Sequence, residues 1–93
     1  MNIFSGLNVY GDSWKVSSSR SFSSEEIAAV NSAEVVASEY GNSVCFMMKG
    51  GGKTYIPLSN DSSLAPGDKV DISTAELLTL SRSGSDDINR VKA

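Results

Sequence analysis

Residues Ser43 to Leu58 read SVCFMMKGGGKTYIPL, two apolar-rich runs on either side of three consecutive glycines. In the first run Val44, Phe46 and Met48 alternate with Cys45, Met47 and Lys49. That is the two-residue period of a strand with one apolar face. The second run, Lys53 to Leu58, favours a strand again. Pro57 assigns it to a sheet edge or a strand end, because proline has no N–H to give to a ladder. The glycines then close a hairpin, where they supply positive φ at no steric cost. The competing reading is a phosphate-binding loop, since Gly52-Lys53-Thr54 matches the tail of that motif. It fails twice: the motif needs glycine where this chain has Met47, and a helix where it has Tyr55-Ile56-Pro57.

Working outward, AEVVASEY (33–40) sets Val35 and Ala37 against Val36 and Tyr40, and Gly41-Asn42 is its turn. Before it, SSEEIAAV (23–30) carries Ser23 three residues ahead of Glu26, the spacing of a capping box. A short helix over 23–31 follows, ended by Asn31 and Ser32. Residues 1–22 are expected to be loosely ordered or to form short strands. Ile3, Leu7 and Val9 precede a Gly11-Asp12 turn and then Trp14 and Val16, while SWKVSSSRSFSSEE reads as a solvated loop or weak strand. Downstream, NDSSLAPGDKV is a loop with a Pro66-Gly67 turn leading into the strand KVDI, then AELLTLSR; the tail SGSDDINRVKA either adds a last short strand through Ile88 and Val91 or frays.

One short helix and many short strands at close intervals indicate a mainly β, single-domain protein over 1–93, a small barrel or sandwich with its β core over 33–91. The PGDKV turn is similar to turns of small oligonucleotide/oligosaccharide-binding and SH3-like barrels. On that ground Ala33 to Val91 resembles a compact barrel of the oligonucleotide-binding type. The resemblance implies a sheet that handles single-stranded nucleic acid.

Composition narrows the chemistry. There is no histidine and a single cysteine, so a zinc site has too few ligands and no metal or cofactor is expected. Asp86-Asp87 and Asp68 with Asp71 lack the spacing of a calcium loop. Gly11-Asp12-Ser13 resembles the nucleophile block of GDSL-type hydrolases, but that family activates its serine with a histidine, and this chain has none. No base, nucleophile pair or metal set can be assembled, and the chain is read as non-enzymatic. One cysteine also excludes a disulfide framework and favours a reducing compartment. The opening MNIFSGLNVYGD lacks the pattern of a signal peptide, and no run approaches the about 18 apolar residues of a membrane span. A cytoplasmic protein without membrane contact is expected.

Binding surfaces remain. A barrel that holds single strands stacks bases on aromatics and tracks phosphates with cations. The candidates are Lys49 and Lys53 at the hairpin tip, Tyr55, Tyr40, Arg82 and Trp14; Phe46 and Cys45 read as core. The leading expectation is a binding module for single-stranded nucleic acid or a replication-type partner. Its rival is a small acidic regulator or inhibitor that binds a protein, of the kind phages deploy against host machinery. The net charge of −3 counts against a strong duplex binder and suits the rival. Strand-to-strand dimerisation through the KTYIPL edge is possible, limited by Pro57.

Overall fold

The computed structural model describes residues 8–9, 12–82 and 87–93. In chain order the elements are β1 (Asn8–Val9), β2 (Asp12–Ser13), β3 (Lys15–Ser21), α1 (Ser24–Ala29), β4 (Val30–Ser38), β5 (Gly41–Met48), β6 (Lys53–Pro57), β7 (Glu76–Ser81) and β8 (Asp87–Lys92). β1 pairs with β2, and the larger elements form two antiparallel three-stranded sheets, β4-β5-β6 and β3-β7-β8. The mainly β expectation holds in its sandwich form. The sheets do not close into a barrel; among the described residues their backbones are joined by a parallel bridge between Leu58 and Val91, where the Ser59 N–H donates to the Val91 carbonyl (2.8 Å).

The core lies between the sheets. Ala33 and Val35 from β4, Val44 and Phe46 from β5, Leu58, Val70 and Ala75 from the connections, and Val91 from β8 form one buried cluster. Phe46 is core, as its alternation indicates. Cys45 is buried on the opposite face of β5, beside Glu34 and Tyr55 in the register, and carries a free thiol. Trp14, Leu78 and Leu80 make a second cluster with Ile88 against it.

The hairpin at 43–58 is present. Met48 N–H donates to the Gly52 carbonyl (2.8 Å) and Gly51 N–H to the Met48 carbonyl (2.9 Å), enclosing a loop of Lys49, Gly50 and Gly51. Gly51 takes φ +97°, the left-handed position that ends such a loop. Pro57 closes β6, an outer strand of its sheet, as its missing N–H requires.

Three boundaries move, and one open alternative is decided. The capping box forms as spaced, with Glu26 N–H donating to Ser23 Oγ and Ser23 N–H to Glu26 Oε1. The helix nevertheless stops at Ala29, not at residue 31, because Val30 pairs with Met48 and the sheet recruits it. The β4–β5 turn falls on Glu39 and Tyr40 rather than on Gly41-Asn42; Gly41 opens β5 at φ +116°. KVDI is not a full strand. Gly67 to Val70 instead lines the outer edge of β4, through Gly67 N–H to the Val35 carbonyl and Val70 N–H to the Ala33 carbonyl (2.8 and 2.9 Å). The serine-rich stretch is a seven-residue strand, β3, every side chain exposed, held by its ladder with β7. Ile3, Leu7 and Gly11 lie outside the described residues.

Candidate functional site

The six residues expected to form a binding face do not share one. Lys53 and Tyr55 stand two apart on β6, so their side chains lie on the same face, which is the outer face of the sheet. Lys49 is in the adjoining turn. Tyr40, 70 % exposed, sits in the turn at the other end of β5. Eight strand residues separate it from Lys49, a span of about 27 Å. Arg82 and Trp14 belong to the other sheet: the Arg82 guanidinium lies 5.4 Å from the centroid of the Trp14 ring. Trp14 itself is 5 % exposed and packs on Leu78 and Leu80. Its place on a binding face is corrected to core, because a ring buried on one face and covered by guanidinium offers no surface for stacking. What the fold brings together at the hairpin is Lys49, Lys53 and Tyr55.

A different feature was not legible in sequence. On the inner face of β4-β5-β6, beneath α1, an open groove of about 360 Å³ runs between helix and sheet. Its floor is Phe46 and Met48 of β5 with Thr54 and Ile56 of β6; Phe22, Ala29 and Val30 wall one side and Ile72 contributes from the loop. Glu25 and Glu26 stand on its rim. Local sequence explains the wall. The capping box fixes the helix start, and Phe22, just before the Ser23 cap, turns its ring onto Phe46 with centroids 5.8 Å apart. The last carbonyl of the helix, at Ala29, accepts from Lys49 N–H (2.9 Å), which ties helix to hairpin. Among the described residues nothing further covers the main core at the groove, and Phe22, Met48, Ile56 and Ile72 are half-buried.

The rim carboxylates differ. Glu26 is bound by Arg20, through Nη1 to Oε1 (2.7 Å) and Nη2 to Oε2 (3.1 Å), a fork-to-fork contact. That pair, with the Ser23 N–H, lowers the Glu26 carboxyl to about 2 and raises Arg20. Glu25 is exposed and makes no ion pair among the described residues. The groove thus offers an apolar floor with one uncommitted carboxylate above it. Among the described residues no group of three or more acidic or cysteine side chains converges as a metal site would need. Among the described residues no helix is long and apolar enough to cross a membrane.

Compared with protein-family models, curated proteins and solved structures, the chain matches none.

Proposed function

We propose that this is a non-catalytic, cytoplasmic protein-binding module whose groove receives an apolar segment of a partner protein. The observation that carries it is the groove itself: an apolar floor of Phe46, Met48 and Ile56 kept open to solvent under a carboxylate rim. Partner segments are commonly recognised by laying apolar side chains into an apolar groove of this kind. The net charge of −3 and the uncommitted Glu25 select a partner segment that carries lysine or arginine beside its apolar residues. A small acidic regulator of another protein, of the kind phages use against host machinery, is one role this reading accommodates. The single cysteine, free and buried, suits a reducing compartment.

A photo-reactive phenylalanine analogue at Thr54, in the cell that makes the protein, tests the reading. The expected product is an adduct with an apolar partner segment bearing an adjacent lysine or arginine, lost when Met48→Lys is added. No adduct, or one indifferent to Met48→Lys and equally frequent from the analogue at Tyr40, refutes it.

A second reading has its own observation, the shared outer face of Lys53 and Tyr55 beside Lys49. There the protein would hold single-stranded nucleic acid, with Tyr55 stacking a base and the lysines on phosphates. Two phosphate contacts give a log–log salt slope of about −1.4 on a single strand. Fluorescence anisotropy with labelled single-stranded DNA measures it, and Lys49→Glu with Lys53→Glu should abolish the slope. Absence of salt-sensitive binding at low ionic strength ends this reading.

A further inference from the structure

The backbone of β6 says how a partner segment would lie beside the groove. Met48 N–H donates to the Gly52 carbonyl and Leu58 N–H to the Asn42 carbonyl. Those two bonds bracket an antiparallel register in which Thr54 faces Phe46 and Ile56 faces Val44. Hydrogen-bonded pairs alternate along such a ladder, so Gly52, Thr54, Ile56 and Leu58 aim their backbone groups at β5. Lys53, Tyr55 and Pro57 aim theirs outward, away from the sheet.

On that outward side β6 has no ladder among the described residues. The Leu58–Val91 bridge occupies the Pro57 end and goes no further. Among the described residues no strand pairs with the outward N–H and C=O of Lys53 and of Tyr55, and Lys53, Thr54 and Tyr55 are all exposed. The other edges are managed differently, that of β8 meeting Leu58 through Val91. Gly67 to Val70 covers β4. β3 carries an irregularity between Val16 and Ser18, with Lys15 and Arg20 near its ends. Only the open edge of β6 borders the groove, because Thr54 and Ile56 form part of its floor.

We propose that β6 takes up an extended segment of a partner protein as an added strand. The segment pairs with the Lys53 and Tyr55 backbone and sets alternate apolar side chains into the groove beside Thr54 and Ile56. A lysine or arginine on the segment meets Glu25. This deepens the protein-binding reading and rests on it. Main-chain pairing with pockets for alternate side chains is a general mode of peptide recognition. A second copy of the chain fits less well. A second copy brings the same net charge of −3 and the same Glu25 to the edge, so like charges oppose the pairing.

The test selects random linear peptides displayed on phage against the full chain, then measures the winners by anisotropy on four proteins: wild type, Tyr55→Pro, Tyr55→Ala and Met48→Lys. Selected peptides should alternate apolar residues and carry lysine or arginine. Tyr55→Pro deletes one outward N–H and should weaken binding about tenfold or more, the cost of one lost hydrogen bond at an interface. Tyr55→Ala keeps that N–H and should change affinity far less. Amide hydrogen exchange at Lys53 and Tyr55 of the wild type should slow on peptide binding, a readout that needs no variant to fold. If Met48→Lys abolishes binding while the two Tyr55 variants behave alike and the amides stay unprotected, strand addition falls and the groove reading stands. If Met48→Lys changes nothing, both fall. No selected peptide that protects these amides also overturns strand addition, as does a dimer in sedimentation that Tyr55→Pro dissolves.

Discussion

Proline substitution at two adjacent residues of β6 tests the ladder on which the strand-addition argument depends. Thr54 sits opposite Phe46 in a hydrogen-bonded pair, so its N–H points at the Phe46 carbonyl. Thr54→Pro removes that donor. It costs about 1 kcal/mol for the bond and about 1–3 kcal/mol for the carbonyl left without a partner. Phe46 is 3 % exposed, so water is poorly placed to replace the donor and the upper part of that range applies. The expected loss is about 3 kcal/mol or more. Tyr55 N–H points to solvent and its side chain is 57 % exposed, so Tyr55→Pro breaks no ladder bond and little packing. It should cost about 1 kcal/mol, mainly from pulling φ toward the proline value. In a domain of this size each kcal/mol moves the midpoint by about 4–8 °C. Thr54→Pro should therefore lower Tm by about 12–24 °C and Tyr55→Pro by about 4–8 °C. Thermal and urea unfolding followed by circular dichroism measures both. Equal losses, or a larger loss at Tyr55, would mean that the outward groups belong to Thr54, and the edge reading would fail. Pro57 already occupies an outward position, where the ladder needs no donor.

Further outcomes follow from the same packing. Glu26 has its folded-state carboxyl lowered from 4.5 to about 2. Its contribution to stability is therefore complete above about 4.5 and disappears as pH falls through about 2; Tm should fall as pH is lowered across that window, and the fall should shrink in Glu26→Gln. If Glu26→Gln leaves the acid limb unchanged, the Arg20 contact contributes nothing in solution. Leu80→Ala empties a fully buried site in the second cluster and should cost about 2–5 kcal/mol by urea unfolding, whereas an exposed leucine would cost almost nothing. Gly51→Ala forces a side chain onto φ +97° and should cost about 1–2 kcal/mol, while Gly50→Ala, with no neighbour within 4 Å and no positive φ, should be close to neutral. A comparable loss at Gly50 would contradict the assigned loop.

Much of the local structure was legible because it rests on short-range rules. Ser23 and Glu26 announce the helix start through a capping box that closes within four residues. Val44, Phe46 and Met48 announce the buried face of β5, and Pro57 announces an edge. Where neighbours in space decide, local signals miss. Val30 continues the helical pattern of Ile27, yet pairs with Met48 and becomes strand. KVSSSRS carries no buried side chain and reads equally as loop or weak strand; the β7 ladder decides for strand. Trp14 next to Lys15 suggests a binding face, yet it packs under Arg82 onto Leu78 and Leu80, residues more than sixty positions away.

By itself the sequence determined the strand-rich class, the hairpin at the three glycines, the capped helix start and the absence of a phosphate loop. Each of these depends on residues within a few positions of one another, where sterics and hydrogen-bond geometry act directly. Only the tertiary structure decided that the sheets stay open rather than closing, that Tyr40 lies far from Lys49, and that an apolar groove remains under α1. Phe46 and Met48 look the same in sequence whether a core covers them or leaves them open. Which of the two happens depends on how closely a six-residue helix can cover the sheet, and that is settled by packing between distant segments.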